Sequence, residues 1–141
     1  MKAWEIYSYQ HPGWPEPHPA VIVSHPDRVT LKPEVTILLC SSQPATRPAK
    51  PHEVILDGSD GLDWPTVCKC DLLYTLPKSA LIAWRGTVTA ERRRQIVATI
   101  NRAMGWVRQP KQKLISAFQL FGFQLLRMSV VRTRALPCSA Q

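Results

Sequence analysis

His18-Pro-Ala-Val-Ile-Val-Ser24 and Val35-Thr-Ile-Leu-Leu-Cys-Ser-Ser-Gln43 are the two stretches whose reading decides the fold. Each is a short apolar run rich in residues that suit a pleated, buried surface, and each is bounded by turn-forming residues. The first begins on a polar side chain, His18, and the second ends on two, Ser41 and Ser42. Paired side by side, the two strands bring these ends to one rim of a small barrel. An imidazole facing hydroxyls in that way predicts a phosphate-handling site.

Working outward from this pair, Trp4 to Tyr9 has strand composition and stops at a proline-punctuated stretch, Pro12, Pro15, Pro17 and Pro19. Proline lacks the N–H a helix needs, so this stretch is expected to be a stiff, extended loop carrying His11, Trp14 and Glu16. Residues 20–24 form the first buried strand, a turn is expected around His25-Pro26-Asp27, and residues 34–42 form a longer strand. A second proline-rich loop, 44–51, holds Arg47 and Lys50 and leads into the strand His52 to Leu56. Asp57-Gly58-Ser59-Asp60-Gly61 is a turn, followed by strands over 66–74 and 81–84. Short strands at this spacing predict a compact antiparallel barrel rather than a βαβ fold.

Thr89 reads as a helix N-cap with Glu91 in the first turn, and Gly105 fits the position just past the C-terminus. Between them Ile96, Val97, Ile100, Ala103 and Met104 recur at helical spacing and predict the face that packs on the barrel. Arg92, Arg93 and Arg94 extend elsewhere, as a solvated face or as a contact for RNA. Beyond Pro110, residues Leu114, Ile115, Phe118, Phe121, Leu125 and Met128 repeat at helical intervals between basic ends. An additional helical tail is expected there, docked on the protein, on a second copy or on a membrane surface.

The chain has 141 residues, enough for one hydrophobic core, so we expect one barrel domain over 1–106 and a basic, apolar extension over 107–141. Its net charge of +8 is uneven: residues 1–106 hold 12 Lys or Arg against 10 Asp or Glu, whereas residues 107–141 hold 6 basic residues and no acidic one. Charge alone therefore does not mark the barrel as a nucleic-acid binder. Apolar runs are too short to span a bilayer and no signal-peptide pattern opens the chain, so a cytoplasmic protein with no transmembrane segment is expected. Cys40, Cys68, Cys70 and Cys138 lack the paired spacing of a zinc site, and reduced thiols are expected, with no metal and no cofactor.

Several short motifs, taken in order, carry a resemblance over about residues 3–106. Trp4-Glu5-Ile6-Tyr7, Pro19-Ala20-Val21-Ile22-Val23-Ser24, Ser41-Ser42-Gln43, His52-Glu53-Val54-Ile55-Leu56, Lys69-Cys70-Asp71 with Thr75, and Arg85-Gly86-Thr87-Val88 resemble the successive motifs of the PemK/MazF family of toxin endoribonucleases. The resemblance implies an SH3-like barrel of the CcdB/PemK type, mainly β with a C-terminal helix, that forms a homodimer. It also implies metal-independent cleavage of single-stranded RNA, by attack of the ribose 2′-OH on the adjacent phosphorus, and a cognate antitoxin as partner.

Carried onto this sequence, the resemblance makes His18, Ser41, Lys69, Asp71 and His11 the candidate catalytic residues. His18 stands where the family has arginine and Ser41 where it has threonine; serine keeps the hydroxyl, while histidine exchanges a permanent charge for acid–base chemistry. Lys69 and Asp71 are two apart on a strand and are expected on the same rim, as cationic stabiliser and base. Arg47, Lys50 and Arg85 are candidate phosphate contacts, and Trp14 either stacks on a base or packs as a lid. Leu72 and Tyr74 replace a glutamine and an arginine of the family pattern, which thins the polar contacts to RNA. The alternative reading is a catalytically weak or inactive barrel that binds RNA or a protein.

Overall fold

The structure, a computed structural model, describes residues 1–106; the expected helical tail lies outside the described residues. Six strands form one antiparallel sheet: β1 (Glu5–Tyr9), β2 (His18–Ile22), β3 (Glu34–Pro44), β4 (Glu53–Leu56), β5 (Thr66–Pro77) and β6 (Leu81–Thr87), in the order β4-β5-β3-β2-β1-β6. Two helices complete the barrel domain, α1 (Pro26–Leu31) and α2 (Ala90–Ala103).

The central strands are buried on both faces, which explains why β2 and β3 read as continuous apolar runs. Side chains alternate across a strand, so Val35, Ile37 and Leu39 of β3 join Ala20, Ile22 and Val29 in one core cluster, while Leu38 and Cys40 join Ile6, Val21, Val54 and Cys68 in another. Helix α2 covers the second cluster with Ile96, which is completely buried. Val97 and Ala103, expected on the packed face, are exposed, because the helix meets the sheet along a narrow stripe centred on Ile96 and Thr99.

The turn expected at residues 25–27 is instead the start of α1. His25 caps it, its ring nitrogen accepting from the Asp27 amide at 3.3 Å, Pro26 occupies the first turn, and Val29 points into the core. Strands β5 and β6 run on to Pro77 and Thr87, beyond the expected ends at 74 and 84. Arg85-Gly86-Thr87 therefore lies within β6. Gly86 is required there by a close approach, since a Cβ would overlap the Asp60 carbonyl oxygen.

Strand β5 carries the irregularity that shapes the site. Leu73 pairs with Leu38 and Cys68 with Cys40, so the single residue Leu39 faces the four residues 69–72. This surplus bends the strand and re-aims the side chains of Lys69 to Leu72.

The N-terminus of α2 is fixed by a buried carboxylate. Asp60 accepts from the Thr89 amide at 2.8 Å and the Asp57 amide at 3.3 Å, and the Arg92 Nε lies 3.7 Å away. Thr89 in turn caps the helix through the Arg92 amide, and Arg92 also bonds Asp57 at 2.8 Å. Arg93 donates to the Val88 carbonyl and Arg94 to Glu91. The three-arginine run is thus engaged in holding and facing the helix.

Candidate active site

Where β2, β3 and β5 meet, a pocket of about 200 Å³ opens between Trp14, His18, Leu39, Cys40, Ser41, Lys69, Leu72 and Tyr74. Ala20 pairs with Leu39, so continuing the antiparallel register by two residues sets His18 opposite Ser41. The expected meeting of His18 and Ser41 at one rim is what the pairing produces.

The tautomer of His18 follows from its partner. Its Nδ1 lies 3.1 Å from the Cys40 carbonyl oxygen, which can only accept, so Nδ1 carries the proton. In the neutral ring, Nε2 then holds the free lone pair and is the atom able to take a proton. Ser41 Oγ accepts from the Gln43 amide at 3.1 Å, which leaves its hydroxyl proton available to donate. The Ser41 carbonyl is itself held by the Thr66 hydroxyl at 2.6 Å, fixing the strand end behind it. Lys69 is exposed and supplies the pocket's positive charge.

Trp14 comes from the proline-rich loop and packs on His18, with ring centroids 4.4 Å apart and a 54° tilt. His11 and Tyr9 lie against the same indole, at 4.8 and 6.1 Å. His11 is therefore a support for Trp14 and does not line the pocket; its Nδ1 accepts from the Gly13 amide. The loop is braced further by Gln10, whose side-chain amide donates to the Trp14 carbonyl at 2.8 Å.

Asp71 is not part of this pocket. The bend at residues 69–72 turns it toward a separate depression lined by Pro51, His52, Arg102 and Ala103, where it lies 3.9 Å from His52 Nε2. The expectation that Lys69 and Asp71 share one rim with His18 holds for Lys69 alone. Alternation along a regular strand would have kept them together, and the strand is not regular there.

The candidate phosphate contacts have other engagements. Arg47 forks onto Glu53 at 2.7 and 2.9 Å and donates to the Pro48 carbonyl. That fork, reinforced by the Lys50 amide, holds the Glu53 carboxyl down at about 2 against the opposing effect of its burial. Arg85 pairs with Asp63 at 2.6 Å and lies over the Trp64 ring. Neither arginine lines the pocket, nor does Lys50. The thiols behind the site are inert: Cys40, Cys68 and Cys70 are free and buried, and hydrogen bonding from Cys40 together with burial pushes the Cys68 thiol well up, as Cys68 and burial do for Cys70.

Leu72 and Tyr74, which replace polar residues of the family pattern, line the pocket, although neither was among the candidate site residues. Both are half-exposed and form the wall across from the Trp14 loop. Strand alternation assigns them to the face away from Lys69, and only the surplus residues of β5 reunite the three.

With this geometry in place, residues 5–104 match the profile of a family described as the PemK-like, MazF-like toxin of type II toxin-antitoxin systems. The chain belongs to this family. Solved structures of similar fold include an endoribonuclease in complex with its cognate antitoxin from a mycobacterial species, with a TM-score of 0.67 and 23% identity over 77% of this chain and 99% of that one. The Mycobacterium tuberculosis toxin MazF-mt6 follows at 0.61 and 23% identity, over 72% and 96% of the two chains. A MazE-MazF structure from Deinococcus radiodurans aligns at 0.60 and 16% identity, over 74% and 95%. No curated protein sequence matches the chain. Among the described residues, no helix is long and apolar enough to cross a membrane.

Proposed function

We propose that this PemK/MazF-like toxin is an endoribonuclease that cuts single-stranded RNA at the His18–Ser41–Lys69 pocket. The observation that carries the reading is the bond from His18 Nδ1 to the Cys40 carbonyl, which leaves Nε2 as a directed base in a pocket that also holds a hydroxyl donor and a cation. Nε2 takes the proton of the ribose 2′-OH, and the 2′-oxygen attacks the adjacent phosphorus. The bond from phosphorus to the 5′-oxygen breaks, and that oxygen leaves with a proton from solvent at the pocket mouth. The Ser41 hydroxyl and Lys69 ammonium donate to the non-bridging oxygens as their charge grows. The products are a 2′,3′-cyclic phosphate and a 5′-hydroxyl, and no step needs a metal ion.

Family membership, and fold neighbours solved in complex with antitoxins, support a cognate antitoxin as the protein partner; a homodimer as the working form is what the family resemblance implies. The test is incubation of the purified, partner-free protein with mixed single-stranded RNA in a chelator. We expect cleavage with cyclic-phosphate ends. His18→Ala should lower kcat by about 10²–10⁴-fold, the usual contribution of a positioned base, and added imidazole should restore part of it. A folded protein that cuts no RNA would overturn the reading in favour of a binding module, and undiminished cleavage by the His18→Ala variant would remove His18 from it.

A further inference from the structure

The pocket is lined more by apolar and aromatic groups than by charge. Among the described residues, Lys69 is the single lysine or arginine that lines it. Arg47 and Arg85 are paired with Glu53 and Asp63, and Arg92 and Arg94 with Asp57 and Glu91. Among the described residues, RNA lying in the pocket meets one cation there, so contacts other than phosphate neutralisation are needed to hold it at this site.

The two aromatic walls differ in how free they are. Trp14 already packs against Tyr9, His11 and His18. Tyr74 takes part in none of the ring contacts among the described residues, is 42% exposed and faces the pocket beside Leu72. Its backbone is held by the strand pairing of Tyr74 with Ile37, so the platform's position costs no further backbone ordering when a flat group settles on the ring. Flat, weakly hydrated groups that stack on such a platform, next to a site for a scissile phosphate, are unpaired nucleobases.

We infer that Tyr74 is the stacking platform for one unpaired base next to the cleaved phosphate, and that this base, not the phosphate chain, supplies most of the RNA affinity. Trp14 acts as the wall that holds His18 in place. The inference rests on the RNA-cleaving function proposed above and deepens it by naming what in the substrate is recognised.

The experiment measures binding of a fluorescent, single-stranded 2′-O-methyl oligonucleotide, which lacks the attacking hydroxyl, by anisotropy. One base at a time is replaced by an abasic linker. We expect a single position at which the linker weakens binding about 5- to 150-fold, the range for one base on an aromatic platform. Tyr74→Ala and Tyr74→Leu should weaken binding to the same extent and lose sensitivity to that linker, while Tyr74→Phe and Tyr74→Trp should keep both. The logarithm of the affinity should fall with log salt at a slope of about −0.7 to −1.4, as for one or two phosphates on a single strand.

Circular dichroism melts confirm that each variant is folded. Wild-type binding by folded Tyr74→Ala and Tyr74→Leu, no base-dependent position, or a slope steeper than about −3 would overturn the inference. In those cases cleavage by the wild-type protein would show that the proposed function itself survives. Absence of both binding and cleavage by the wild type would instead fail the function and the inference together.

Discussion

Histidine 18 and arginine 47 show how a single partner decides what a side chain can do. His18 is turned into a directed base by one carbonyl, that of Cys40. Arg47 is turned from a surface cation into the clasp of the 44–51 loop by Glu53, which is 8% exposed and would otherwise be a nearly buried carboxylate hydrogen-bonded by the Lys50 amide but with no arginine to balance its charge. Removing the clasp with Arg47→Ala should cost on the order of 1.5–3 kcal/mol, the scale of hydrogen bonds to a charged group, measured by urea unfolding, while RNA cleavage at saturating substrate changes little. Asp71 offers the converse test. Since it faces His52 across a different depression, Asp71→Asn should leave kcat/KM within about threefold of wild type, as a surface substitution does. A loss comparable to that of His18→Ala would bring Asp71 back into the chemistry.

At the scale of elements, the joint between the 57–61 turn and α2 carries the helix. Asp60 satisfies two backbone amides at once, at Thr89 and Asp57, and it does so almost completely out of water. Asp60→Ala should therefore destabilise by on the order of 3 kcal/mol, and Asp60→Asn, which keeps an acceptor, by less. Gly86→Ala should be comparably harmful because its Cβ has no space against the Asp60 carbonyl, and chemical denaturation of both variants checks this. Most of these elements were legible in the sequence. The continuous apolar runs of β2 and β3 and the Thr89 cap of α2 are local signals, and local signals survive folding. Helix α1 was missed because six residues are too few to show a helical period, although Pro26 and Asp27 at its start were the available cue. The pocket was half legible. His18 and Ser41 follow from register, whereas the roles of Leu72, Tyr74 and Asp71 depend on three surplus residues in β5 that no periodicity displays.

For the molecule as a whole, acid should be the main threat to stability. The carboxyl of Glu53 is held at about 2 by Arg47, that of Asp57 is lowered by Ser59, and that of Glu91 by Arg94. Each ionises more readily folded than unfolded, so each contributes stability above the ordinary carboxylate range and loses it as pH falls through its folded value. Thermal melts should show a Tm that is level near neutrality and declines from about pH 4.5 toward pH 2. Glu53→Gln should start lower at neutral pH and decline less. The bend in β5 has a consequence of a different kind. Lys69 still pairs with Glu53 of β4 and Cys70 is buried in the core, so it is the two exposed residues of the bend, Asp71 and Leu72, that can change without shifting the ladders around them. One wall of the pocket is thereby uncoupled from the framework that holds His18. Divergence could rewrite which RNA is accepted by editing that short arc alone, leaving the cutting apparatus and the core as inherited.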